Sequence, residues 1–96
     1  MTAEEIKKII RKLKPMLIEK YKIKEIGIFG SYVRCEQKHN SDIDILINFE
    51  EFPGLIGFIG IEDELSQHIG MKVDLVTKTS LKPETGRHIL REVVYL

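Results

Sequence analysis

The chain holds a single cysteine among its 96 residues, so Cys35 has no internal disulfide partner and stability must come from packing. It has no net charge, since 15 basic and 15 acidic residues cancel. That excludes a global field drawing the molecule onto nucleic acid or an anionic membrane. It lacks a long uncharged apolar run and a cationic-then-apolar leader, so a soluble, cytoplasmic protein without a membrane role is expected. It also lacks a Cys-x-x-Cys and any helical His pair. His39, His68 and His88 stand alone, and zinc is not expected. No internal repeat is present.

Against these absences stands an ordinary globular balance, 43% apolar and 31% charged, which fits one folded domain over residues 1–96. The charges are unevenly placed. Residues 1–24 carry eight Lys/Arg against three Glu, and residues 25–75 carry three against ten acidic side chains. An acidic middle with basic flanks suits a site that collects cations, although lysines at helical spacing are also what a solvated helix face looks like.

Thr2 and Glu5 form a capping-box pattern, followed by Ile6, Ile9, Ile10, Leu13 and Leu17 at helical spacing, which predicts a first helix over 3–20. Pro15 is expected to bend or restart it. Residues 25–30 read as a first strand, with Ile26 and Ile28 on one face. In the second, residues 42–49, Ile43, Ile45, Ile47 and Phe49 face one way and Asp42 and Asp44 the other. Pro53 is placed for a first helical turn and Gly70 for a C-terminal cap, which bounds a helix at about 54–69. Gly54, Gly57 and Gly60 each cost that helix about 1 kcal/mol against alanine. Residues 72–77 are a third strand. Pro83 opens a last helix expected to carry Ile89, Leu90, Val93 and Val94. Phe52, Leu55, Phe58 and Ile59 form an apolar cluster open to two readings, core or a docking surface. The pattern as a whole predicts α/β architecture: a small mixed sheet of three or four strands, helices packed on one side, and a site at the ends of strands one to three.

Two carboxylates two positions apart in a strand share a face, about 7 Å apart along the backbone. Ionised together they repel, and a divalent cation relieves that repulsion; oxygen ligands with open positions favour Mg²⁺ or Mn²⁺ over zinc. An EF-hand loop opening at Asp42 fails, because Ile47 and Pro53 occupy the positions that need Gly and Glu. Gly30-Ser31 ends the preceding strand, where glycine lets a phosphate approach the backbone and a serine hydroxyl with the following N–H groups can grip its oxygens. Arg34 lies one turn further on. The glycines of 54–60 follow no strand directly and match no dinucleotide fingerprint, and the Lys-Ser/Thr pair of a Walker loop is missing.

Gly30-Ser31-Tyr32-Val33-Arg34, ten residues between Ser31 and Asp42, and then Ser41-Asp42-Ile43-Asp44-Ile45-Leu46-Ile47 resemble the G-S-x10-D-x-D signature of the DNA polymerase β-like nucleotidyltransferases. The likeness is nearest to the minimal nucleotidyltransferases that partner HEPN proteins, and it extends over Lys24–Ser31, Gly70–Thr77 and Leu81–Leu96. Cys35 departs from it, standing where such proteins usually have Gly; His39 and Asn40 lie in the variable connection. The resemblance implies that Asp42, Asp44 and Asp74 are catalytic and hold two Mg²⁺ ions, with Gly30, Ser31 and Arg34 binding the nucleotide. It further implies ATP as substrate and transfer of AMP to a tyrosine of a HEPN toxin, in a possible hetero-oligomer and without direct contact to nucleic acid. Two alternatives accompany it. One is a non-catalytic nucleotide- and metal-binding module that neutralises its partner by contact; the other is transfer to a small molecule.

Overall fold

A computed structural model describes residues 2–38 and 41–96; His39 and Asn40, assigned above to the variable connection, lie outside them. Helix α1 spans Ala3–Tyr21. Its capping box forms as the sequence predicts, with the Thr2 side chain accepting from the Glu5 N–H and the Glu5 side chain accepting from the Thr2 N–H. Those hydrogen bonds hold the Glu5 carboxyl below its ordinary range. Ile6, Ile10, Leu13 and Leu17 are its buried stripe. Pro15 does not interrupt the helix: it sits on the exposed side, where the carbonyl it leaves without a ladder donor can turn to water. Lys22, in the left-handed region at φ 56°, ends α1 and donates its N–H to Ile18 O.

Strands β1 (Ile23–Phe29) and β2 (Ile43–Phe49) pair antiparallel, α2 (Gly54–Ile69) crosses over, and β3 (Val73–Thr77) returns parallel to β2. Helix α3 (Pro83–Glu92) and strand β4 (Val94–Tyr95) follow, with β4 antiparallel to β1. The sheet order is β3-β2-β1-β4. The last helix therefore stops short of Val93 and Val94, which the apolar spacing assigned to it. Their spacing fits a helix and a strand equally, and the free edge of β1 selects the strand by giving the Val94–Tyr95 backbone a hydrogen-bonding partner.

Alternation in the strands sets the two faces of the sheet. Ile26, Ile28, Ile43, Ile45 and Ile47 are fully buried against Ile6, Ile10 and Leu17 of α1 and Ile61 and Leu65 of α2, each such side chain contributing about 1.5–3 kcal/mol. Asp44 and Asn48 fall on the opposite face. Helix α2 forms over its whole predicted length in spite of its glycines; Gly57 and Gly60 lie against Pro53 and Tyr21. The apolar cluster of its first half divides: Phe58 is partly buried and packs against the core, whereas Phe52, Leu55 and Ile59, with neighbouring Ile56 at 88%, are exposed. Among the described residues no helix is long and apolar enough to cross a membrane.

Candidate active site

Because β2 and β3 run parallel, their first residues come to the same end of the sheet, and Asp44 sits in register with Asp74. Because β1 runs antiparallel to β2, its last residue, Phe29, lies opposite Asp44. Gly30 and Ser31 follow directly. Three segments far apart in sequence thus deliver two carboxylates and a glycine–serine turn to one place, on the face that α1 and α2 leave open.

The turn is a short 3-10 helix, Gly30–Tyr32, in which Gly30 O accepts from the N–H groups of Val33 and Arg34 and Ser31 O from that of Glu36. Gly30 has φ 79°, and a Cβ there would collide with the Asp44 carboxylate, 2.9 Å from its Cγ. The position requires glycine on two independent grounds, the left-handed backbone and the carboxylate pressed against it. Cys35 also has a positive φ, 58°. That is a backbone conformation glycine adopts more readily than a residue with a side chain, and the resemblance set out above implies glycine at this position.

Half-buried Asp44 is pushed up to about 6, first by its burial and then by the negative charges of Asp74 and Asp42, against an opposing pull from Arg34. Like charges held together in partial burial are what a divalent cation compensates. The carboxylates of Asp44 and Asp74, with Asp42 near them, are oxygen donors of the kind Mg²⁺ takes. Asp42 immediately precedes β2, and its Oδ2 lies 3.8 Å from the Lys72 ammonium. Among the described residues no group of three or more His, Cys, Asp or Glu side chains is placed to hold a metal ion; Asp44 and Asp74 are in register, while Asp42 is paired with Lys72.

Arg34 is not a free cation. Its guanidinium donates to Glu92 Oε2 at 2.8 Å and Oε1 at 3.0 Å, and to Glu36 at 3.4 Å. Glu92 Oε1 also accepts from the Gly30 N–H at 3.1 Å. Sequence reasoning missed Glu92 altogether. It lies at a helix end among ordinary charged residues, and only the antiparallel return of β4 brings it to the turn.

A sheet of this order with paired carboxylates facing a glycine–serine turn is the framework of a nucleotidyl-transferring domain. Residues 6–96 match the nucleotidyltransferase domain family, and the chain belongs to it. A protein adenylyltransferase of Thermococcus cleftensis, MntA, is 50% identical over 96 residues, covering 100% of this chain and 97% of that one. A solved structure provisionally described as a minimal nucleotidyltransferase superposes with a TM-score of 0.84 at 29% identity, over 100% of this chain and 97% of the other. A crystal structure of a toxin–antitoxin with AMP-PNP superposes at 0.72 and 25% identity, over 99% of this chain and 72% of that one.

Proposed function

We propose that this chain is an antitoxin that transfers AMP from ATP to a tyrosine hydroxyl of a HEPN-type toxin partner. The observation that carries the reading is the in-register pair Asp44 and Asp74 beside Gly30. The 50% identity to a relative named as a protein adenylyltransferase supports AMP as the transferred group. The likeness to a toxin–antitoxin holding AMP-PNP supports ATP and a partner protein.

Asp42, Asp44 and Asp74 would hold Mg²⁺, two ions on the family resemblance, and when bound there the metal supplies positive charge against the triphosphate. Asp42 can join the pair by turning from Lys72, an ion pair that is largely solvent-exposed and weakly held. The Gly30 N–H is occupied by Glu92, so the phosphate oxygens fall to the Ser31 hydroxyl and the N–H groups that open the turn. Asp74 lies on the open face, where it can take the proton from an incoming hydroxyl. The hydroxyl oxygen then bonds to the α-phosphorus, the bond from that phosphorus to the β-phosphate oxygen breaks, and pyrophosphate leaves with its electron pair.

ATP labelled separately at the α- and γ-phosphates, incubated with Mg²⁺ and the co-purified partner, tests this. The expected result is α-label on the partner, no γ-label, and loss of labelling with Asp44→Ala. Inhibition of the partner with no label on it would replace this reading with neutralisation by contact; label on a small molecule would replace the acceptor.

A further inference from the structure

We infer that Glu92 is a positioning residue, which clamps the glycine–serine turn in the shape that receives the triphosphate; the inference rests on the site binding ATP. Glu92 is the last residue of α3, and the chain beyond it is tied down. Val94 and Tyr95 pair with Ile28 and Gly27, the Leu96 N–H donates to Ile26 O at 2.9 Å, and the Lys14 ammonium donates to Leu96 O. The carboxylate is thereby delivered to the end of β1 by a fixed strand, and its side chain is only 17% exposed.

There it makes three hydrogen bonds, from the Gly30 N–H and twice from Arg34. The Gly30 carbonyl accepts from the N–H groups of Val33 and Arg34. Both ends of Gly30 are pinned, and Arg34 closes the ring by holding Gly30 through its backbone and Glu92 through its side chain. Bonds that involve a charged partner are the strong ones, and a turn fixed before the ligand arrives spares the ligand the ordering cost. Arg34 also neutralises a carboxylate that would otherwise repel phosphate. The carboxylate that binds the Gly30 N–H is therefore an anchor that carries no net charge as a pair with Arg34.

Calorimetric titration with ATP in Mg²⁺ and amide hydrogen exchange at Gly30, on the full chain, test the assignment. Glu92→Ala should bind ATP about tenfold more weakly. Its Gly30 amide should exchange faster by a similar factor, while the amides of β2 keep their protection. Glu92→Gln retains the Oε1 acceptor that serves both Gly30 and Arg34, and should return to within about threefold of wild type. Should Glu92→Ala fail to fold, Glu92→Asp carries the test, since it keeps the charge but loses the reach, and the same losses are expected. Unchanged ATP affinity and unchanged Gly30 exchange in a folded variant would overturn the inference. Absence of ATP binding by wild type would instead overturn the nucleotide reading, while faster Gly30 exchange in Glu92→Asp would still place Glu92 as the anchor of the turn.

Discussion

Cys35 keeps a left-handed backbone, φ 58°, in which a side chain costs about 1–2 kcal/mol. Cys35→Gly should therefore raise stability by about 1 kcal/mol, read as a higher Tm, with ATP affinity unchanged because the turn already has its shape. Gly30→Ala has the opposite sign. Its Cβ meets the Asp44 carboxylate and its φ is 79°, so a loss of about 2–3 kcal/mol is expected in a denaturant titration. Asp44 adds a pH dependence. Its folded-state value of about 6 lies above its ordinary 3.8, so folding takes up a proton there: the associated stability is complete below about pH 4 and lost as pH rises through 6. Removing the charge with Asp44→Asn should raise Tm at pH 7.5 by about 4–8 °C, a gain of about 1 kcal/mol once solvent screening of the half-exposed group is allowed for, and leave it nearly unchanged at pH 4. These residues were legible to different depths. Asp42, Asp44 and the Gly30-Ser31 step are local patterns that a strand's alternation and a turn's chemistry expose directly. The role of Glu92 comes from a contact across 62 positions, which no local pattern carries.

At the level of elements, the first helix and the first three strands follow from periodicity alone, because their apolar faces point to a single core. Strand β4 does not, since two residues are too few for a period and Val93 and Val94 extend the helical spacing equally well. What decides is the approach of β4 to β1 at Gly27, where a Cβ would stand 2.7 Å from Val94 O. Gly27→Ala should push β4 off the sheet, and hydrogen exchange would then rise at Leu96 and Gly30 together, since one strand anchors both. If Gly30 keeps its protection while Leu96 loses it, β4 does not carry Glu92 to the turn. The start of α1 is a separate case, resting on the Thr2 cap; Thr2→Ala should cost about 1 kcal/mol in thermal unfolding and leave the site untouched.

Across the whole molecule, the sheet brings Asp44 and Asp74 together on the face that α1 and α2 leave open, at a cost in repulsion that a bound cation would offset. Mg²⁺ should therefore raise the Tm of the full chain at pH 7.5. At 100 times its dissociation constant the gain is about 2.7 kcal/mol. The rise should fade as pH falls below 6, because a protonated Asp44 is a poor ligand. The most direct test of the account is the intact mass of the partner protein after incubation with ATP, Mg²⁺ and this chain as wild type, Asp44→Asn or Asp74→Asn, each shown to be folded. The wild type should add the mass of AMP to the partner and both variants should add none. AMP transfer that survives loss of either carboxylate, or no mass gain with the wild type, would contradict it.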